Sequence, residues 1–156
     1  MTRYLGVDCG LSGALAVVEM IDGIPALADV IDMPVVGSGA KARVNVLAVA
    51  QWIRSRAPSL AYIERGQAMP RQGASSSFLY GRSIGAVEAA VTLCQVPITI
   101  VEPSVWKRQF HLNGGDKEQS RLLALQKFPQ QHALLARKRD HNRSEAILLA
   151  VWGAMQ

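Results

Sequence analysis

Residues 3–18 constrain this chain more than any other stretch. The run Arg3-Tyr-Leu-Gly-Val-Asp8-Cys-Gly10-Leu-Ser-Gly13-Ala-Leu-Ala-Val-Val18 reads as a buried strand, a tight glycine turn and a second strand returning beside the first. The first strand ends on one carboxylate, Asp8, flanked by small residues that permit close approach. An acid in an apolar strand is costly unless it is paired or bound to a cation. Asp beside Gly is also ordinary turn chemistry, so Asp8 alone reads first as a turn former and second as the anchor of a site. The positions of the other acids change those odds.

Length and composition bound the alternatives. With 156 residues, 49% hydrophobic and 19% charged, the chain suits one globular domain with a real core. The formal charge of +5 suits an anionic partner such as nucleic acid. Cys9 and Cys94 match no metal spacing and lie in apolar segments, as small core residues do in a reducing compartment. Cys9 has no neighbouring histidine to make it a nucleophile. No signal peptide and no membrane-length apolar run is present, so the expectation is a cytoplasmic protein without a membrane partner.

Taken in order, Asp22-Gly23 turns the chain into a third strand over 24–33. Residues 34–42 read as a Gly-rich loop, 44–56 as an amphipathic helix ended by Pro58, and 60–64 as a short strand whose last residue is Glu64. Residues 65–76 form a basic, polar loop with Arg65 and Arg71, followed by a long helix over 77–95 that carries Arg82. Gly81 and Gly85 lie four apart on that helix; glycines there cost about 1 kcal/mol each against Ala, which predicts close approach of another helix. A strand over 97–102, a short helix from Pro103 with Lys107, and a loop at 113–115 follow. Asp116 is placed to cap a helix running to Lys127, a charged turn spans 137–143, and an apolar-striped helix closes the chain. Three antiparallel strands followed by helix-linked strands predict a mixed five-stranded α/β sheet with helices on both faces.

In such a sheet Asp8 and Glu64 emerge at one end, and the start of the last helix offers Asp140, His141 and Glu145. Acids converging from separate segments repel unless a cation neutralises them, and an oxygen-only donor set suits Mg²⁺ or Mn²⁺. Two such ions can activate water and stabilise the leaving oxygen in phosphodiester hydrolysis. Arg137 and Arg143 bracket Asp140, and Lys107, Lys117, Arg65, Arg71, Arg82 and Arg143 are the candidate DNA contacts, acting as phosphate clamps. Each piece also has an ordinary reading. Asn142-x-x-Glu145 fits a capping box, Asp140 an N-cap, and the basic run a solvated turn.

Several segments resemble the RuvC family of Holliday junction resolvases, within the ribonuclease H-like superfamily. Leu5-Gly-Val-Asp-Cys-Gly-Leu-Ser-Gly-Ala is similar to that family's first strand and turn, with Cys9 where proline is usual. Tyr62-Ile-Glu64, Gly81-Arg-Ser-Ile-Gly-Ala-Val-Glu-Ala, Pro103-Ser-Val-Trp-Lys-Arg, Asp116-Lys-Glu-Gln-Ser-Arg and Arg143-Ser-Glu-Ala-Ile-Leu-Leu-Ala resemble later motifs in the family's order. The resemblance implies a ribonuclease H-like fold, catalysis and metal binding by Asp8, Glu64 and Glu145, and phosphate contact by Lys107 and Lys117. It also implies two Mg²⁺ per site, replaceable by Mn²⁺, and a homodimer through the Gly81/Gly85 helix that nicks branched DNA symmetrically. Many family members carry an acid or histidine three residues before the last acid. Here that position is Asn142, and Asp140 is taken as the third acid with His141 as ligand or proton-transfer group. Asp8-x-Gly10-x-Ser12-Gly13 also resembles the phosphate loop of actin-like ATPases, but a second loop has no room in this length, so no nucleotide cofactor is expected. A non-cleaving junction binder and a ribonuclease acting on RNA–DNA hybrids remain open.

Overall fold

A computed structural model describes residues 1–112 and 116–156. The expected loop at 113–115 lies outside the described residues. The chain opens with β1 (Arg3–Asp8), β2 (Ala14–Ile21) and β3 (Ile24–Asp32), continues through a small hairpin, β4 (Val35–Val36) and β5 (Arg43–Val44), and enters α1 (Val46–Arg56). Next come β6 (Leu60–Glu64), α2 (Ala74–Leu93), β7 (Ile98–Val101), α3 (Pro103–Gln109), α4 (Lys117–Lys127) and α5 (His141–Ala154). The main sheet has the order β3-β2-β1-β6-β7. β1–β2 and β2–β3 are antiparallel, whereas β1–β6 and β6–β7 are parallel. This is the mixed α/β sheet that the sequence predicts.

Side-chain alternation splits the core into two layers. Leu5, Val7, Leu15 and Val17 point to one face and pack with Val49 and Ile53 of α1 and Val87 and Val91 of α2. Ala14, Ala16 and Val18 point to the other and pack under Ile147, Leu148 and Val151 of α5. The small residues on this second face let α5 lie close. At Gly6 a Cβ would run into the Ala146 carbonyl oxygen, so only glycine admits the helix at that height. Tyr62 meets Trp152 edge to face at 5.8 Å, fixing the far end of α5 on β6.

Three local features depart from the sequence expectation. Residues 34–42 are not only loop: Val35 pairs with Val44 and Val36 with Arg43, with Gly37 (φ 80°) and Gly39 (φ 55°) turning the chain between them. Helix α1 therefore begins later, capped by the Asn45 side chain, which accepts from Ala48 N at 3.2 Å. Residues 129–135 and 138–140 form 3₁₀ turns, and α5 starts at His141. Asn142 is thus inside the helix, and the Asn142–Glu145 capping box, the ordinary reading of that pair, does not form. Among the described residues no helix is long and apolar enough to cross a membrane.

Candidate active site

Strand register brings the first two acids together. Val7 of β1 pairs in parallel with Ile63 of β6, so Asp8 and Glu64 are the next residues on neighbouring strands. Both follow the parity of Gly6 and Tyr62, which places them on the face covered by α5. Glu145 precedes Ala146, the residue against which Gly6 is packed, so the close β1–α5 contact sets Glu145 over the same strand ends. Turn geometry completes the placement. Gly13 N donates to Gly10 O at 3.1 Å, and a Cβ at Gly13 would strike the Asp8 carbonyl oxygen.

These three carboxylates feel one another. Burial holds the Asp8 carboxyl well above its ordinary range, Glu145 and Glu64 push it further, and Lys107 and Lys117 oppose them. Glu64 is also raised, first by burial and also by Glu145, against Lys107 and the Trp106 indole. The Lys107 ammonium lies 3.3 Å from Glu145 Oε1 and 3.8 Å from Glu64 Oε2. It also sits 5.1 Å from the centre of the Trp106 ring. Lys107 is thus the resident cation of an acid cluster. Lys117 opens α4, whose start is capped by Asp116 accepting from Glu118 N at 3.0 Å, as the sequence predicts.

Two contributors carried no sequence expectation of a role. The fully buried Trp106 donates its indole N–H to Glu64 Oε2 at 2.7 Å. Ser120, buried on α4 one turn after Lys117, reaches Glu145 Oε1 at 3.5 Å. The available signals were a tryptophan immediately before Lys107 and a serine at helical spacing from Lys117. Cys9 is no nucleophile: burial first, and then Asp8, pushes its thiol up to about 12.

Other expected site residues are placed elsewhere. Asp140, taken from the sequence as the third acid, is 2% exposed and turned into a fork: it accepts from Arg137 N at 2.8 Å, Nε at 3.0 Å and Nη2 at 2.8 Å. Burial alone would raise its carboxyl, but the Arg137 bonds outweigh that and hold it below its ordinary range. The His141 ring Nδ1 meets the Lys138 carbonyl oxygen at 3.0 Å. Asn142 Nδ2 donates to the Ser12 carbonyl oxygen, tying α5 to the β1–β2 turn. Arg143 is committed to Asp32, at 2.6 and 2.9 Å, and to Leu134 O at 3.1 Å. Arg65 pairs with Glu102 at 3.1 Å, and Arg71 adopts a left-handed conformation (φ 68°) in the 65–73 connection. Arg82 is exposed on α2, beside the β4–β5 hairpin.

Asp8, Glu64 and Glu145 suit a hard divalent cation in kind: three carboxylates, no soft donor, and a charge surplus now answered by an ammonium. Among the described residues no group of three or more acid, histidine or cysteine side chains is spaced to hold a metal ion as the side chains stand.

No protein-family model matches the chain, and no curated protein matches it in sequence. Solved structures do. Thermus thermophilus RuvC aligns with a TM-score of 0.66 over 97% of this chain and 92% of its own, at 19% identity. Thermus thermophilus RuvC in complex with Holliday junction substrate aligns with a TM-score of 0.65 over the same shares, 97% and 92%, also at 19% identity. The chain therefore has the ribonuclease H-like fold of RuvC, with Asp8, Glu64 and Glu145 gathered at one end of its sheet.

Proposed function

We infer that the chain is a metal-dependent endonuclease of the RuvC type, which resolves four-way DNA junctions by paired symmetric nicks. The observation that carries this reading is the convergence of Asp8, Glu64 and Glu145 around Lys107 on a sheet with RuvC's fold. A neighbour of the same fold is described with a Holliday junction substrate, which favours branched DNA as the ligand class.

Two Mg²⁺ ions, or Mn²⁺ in their place, held by Asp8, Glu64 and Glu145 would acidify the attacking water and stabilise the leaving oxygen. The remaining work falls to the chain's own groups. Trp106 fixes one oxygen of Glu64, and Ser120 steadies Glu145. Lys107 and Lys117 present ammonium groups to the scissile phosphate. Water adds in line to phosphorus as the bond to the 3′ oxygen breaks, leaving 5′-phosphate and 3′-hydroxyl ends.

Symmetric nicking calls for a two-fold dimer. The outer face of α2 suits that role: a Cβ at Gly81 or Gly85 meets nothing within 4 Å, and Phe78 and Leu93 on this helix are each 69% exposed. The expected helix–helix approach at these glycines is thus not made inside one chain. Met69, 66% exposed in the loop after Glu64, is our candidate for an apolar wedge entering the opened centre of a junction. The cytoplasm is the expected compartment for such work.

The test is cleavage of labelled four-way junction, linear duplex and RNA–DNA hybrid, with Mg²⁺ or EDTA. Paired, Mg²⁺-dependent nicks in the junction are expected. Cutting only the hybrid, or tight junction binding without cutting in any metal, would overturn the reading.

A further inference from the structure

The turn that follows Asp8 borders a cleft that the acid cluster does not use. The cleft lies between the β4–β5 hairpin and α2, has a volume of about 380 Å³ and reaches Leu11 of that turn. Val36, Val44 and Ala86 give it apolar walls, while the hairpin contributes Arg43 and α2 contributes Arg82. Among the described residues no acidic side chain lines it. Both arginines are exposed, and so is Lys41, two residues before Arg43.

Arg3, Arg56, Arg65, Arg121, Arg137 and Arg143 each sit against a carboxylate. Among the described residues Lys41, Arg43 and Arg82 form no ion pair, and neither do Arg54, Arg71, Arg108 and Arg139; what sets Arg43 and Arg82 apart is that both line one cleft. Two unpaired guanidinium groups face one cleft that no described acid lines, and their planar forks suit phosphate oxygens.

We propose that this cleft is a second nucleic-acid contact, holding the sugar–phosphate backbone of the DNA arm that leads away from the acid cluster. Arg43 and Arg82 bind phosphates, and the apolar walls lie against the sugars. Lys41 adds to the local positive field. Backbone contacts carry no base information, so this grip is indifferent to sequence and sets the path of the arm. The inference rests on the reading of the chain as an enzyme of DNA. A second copy of the chain is a poorer occupant: Glu19, Asp29, Asp32, Glu102, Glu118 and Asp140 are already paired with arginines, leaving few carboxylates to neutralise the cleft.

The experiment compares wild type, Arg43→Gln, Arg82→Gln and the double variant in binding to linear duplex and to four-way junction across a salt series. Sedimentation of each protein without DNA runs alongside. Each substitution is expected to lower the slope of log K against log salt by about 1, and the pair by about 2, on both DNAs and whatever their sequence. An unchanged slope overturns the proposal. So does a changed slope that comes with a changed oligomeric state, because the cleft would then face a second copy. A reduced slope on duplex in a protein that cuts nothing keeps the cleft and removes the nuclease reading. Unchanged slopes in a protein that cuts junctions do the reverse.

Discussion

Asp140 and Glu145 lie five residues apart at the start of the last helix, yet they belong to opposite kinds of site. Asp140 faces Arg137, and nearby Asp32 faces Arg143, so each acid has a guanidinium fork of its own. Both carboxyls are held below their ordinary range: at Asp32 the Arg143 hydrogen bonds lead, and at Asp140 the Arg137 bonds overcome burial. Glu145 instead joins Asp8 and Glu64, where one lysine ammonium is shared between two acids and the Asp8 carboxyl is driven upward. A carboxylate that stabilises a fold is given its own counter-charge. A carboxylate kept for chemistry is left short of one, at a cost in stability.

The sharpest way to break this contrast is Asp8→Asn. Cleavage is expected to fall by about 10³-fold or more, as for the loss of one member of a unit that acts together. The same change relieves a buried, repelled charge. Because the folded carboxyl titrates above its unfolded value, Asp8 favours folding most at low pH, and this is lost as pH rises through the folded value. The metal-free variant should therefore melt higher than wild type near neutral pH, by about 2–4 °C for each kcal/mol relieved. A lower melting temperature would place Asp8 among the structural acids.

Asp140→Ala should behave in the opposite way. It leaves Arg137 N and its guanidinium without their acceptor, for a loss of about 2–3 kcal/mol seen in chemical denaturation. The wild-type contribution is present above the unfolded carboxyl value and is lost as pH falls through the lower folded one, so the variant should flatten the acid limb of the stability curve. Folded Asp140→Ala should still cut. Trp106→Phe removes the donor to Glu64 Oε2 while keeping an aromatic ring. The turnover of bound substrate is expected to drop about 10-fold, the equivalent of one hydrogen bond to a charged group, with little change in DNA affinity. Equal losses in affinity and turnover would instead mark a packing role. Asp32→Asn is the mildest test. The Asp32 side chain is 63% exposed, solvent screens its pairing with Arg143, and a loss of about 1 kcal/mol or less is expected on unfolding.

The mixed sheet was legible because β1, β2 and β6 are short apolar runs, and the β1–β2 and β2–β3 turns are marked by Gly10, Gly13 and Asp22-Gly23. Asp8 and Glu64 were legible for the same reason, since strand ends in a parallel pair share one edge. The β4–β5 hairpin was not, because two-residue strands between glycines carry too little pattern to separate from a loop. Asp140 is held by Arg137 rather than gathered with the other acids, because spacing tells where a side chain starts, not which neighbour claims it. Arg137, three residues earlier, claims it through both backbone and side chain. Trp106 was invisible as a partner of Glu64 because the two meet only after β6, β7 and α3 have packed.

The most direct measurement is Mn²⁺ binding by calorimetry to wild type, Asp8→Asn and Asp140→Asn, each confirmed as folded by circular dichroism. Binding by wild type and Asp140→Asn, with loss in Asp8→Asn, is the predicted result. Loss in Asp140→Asn with retention in Asp8→Asn would contradict the account and move the metal centre to the arginine-clamped acid.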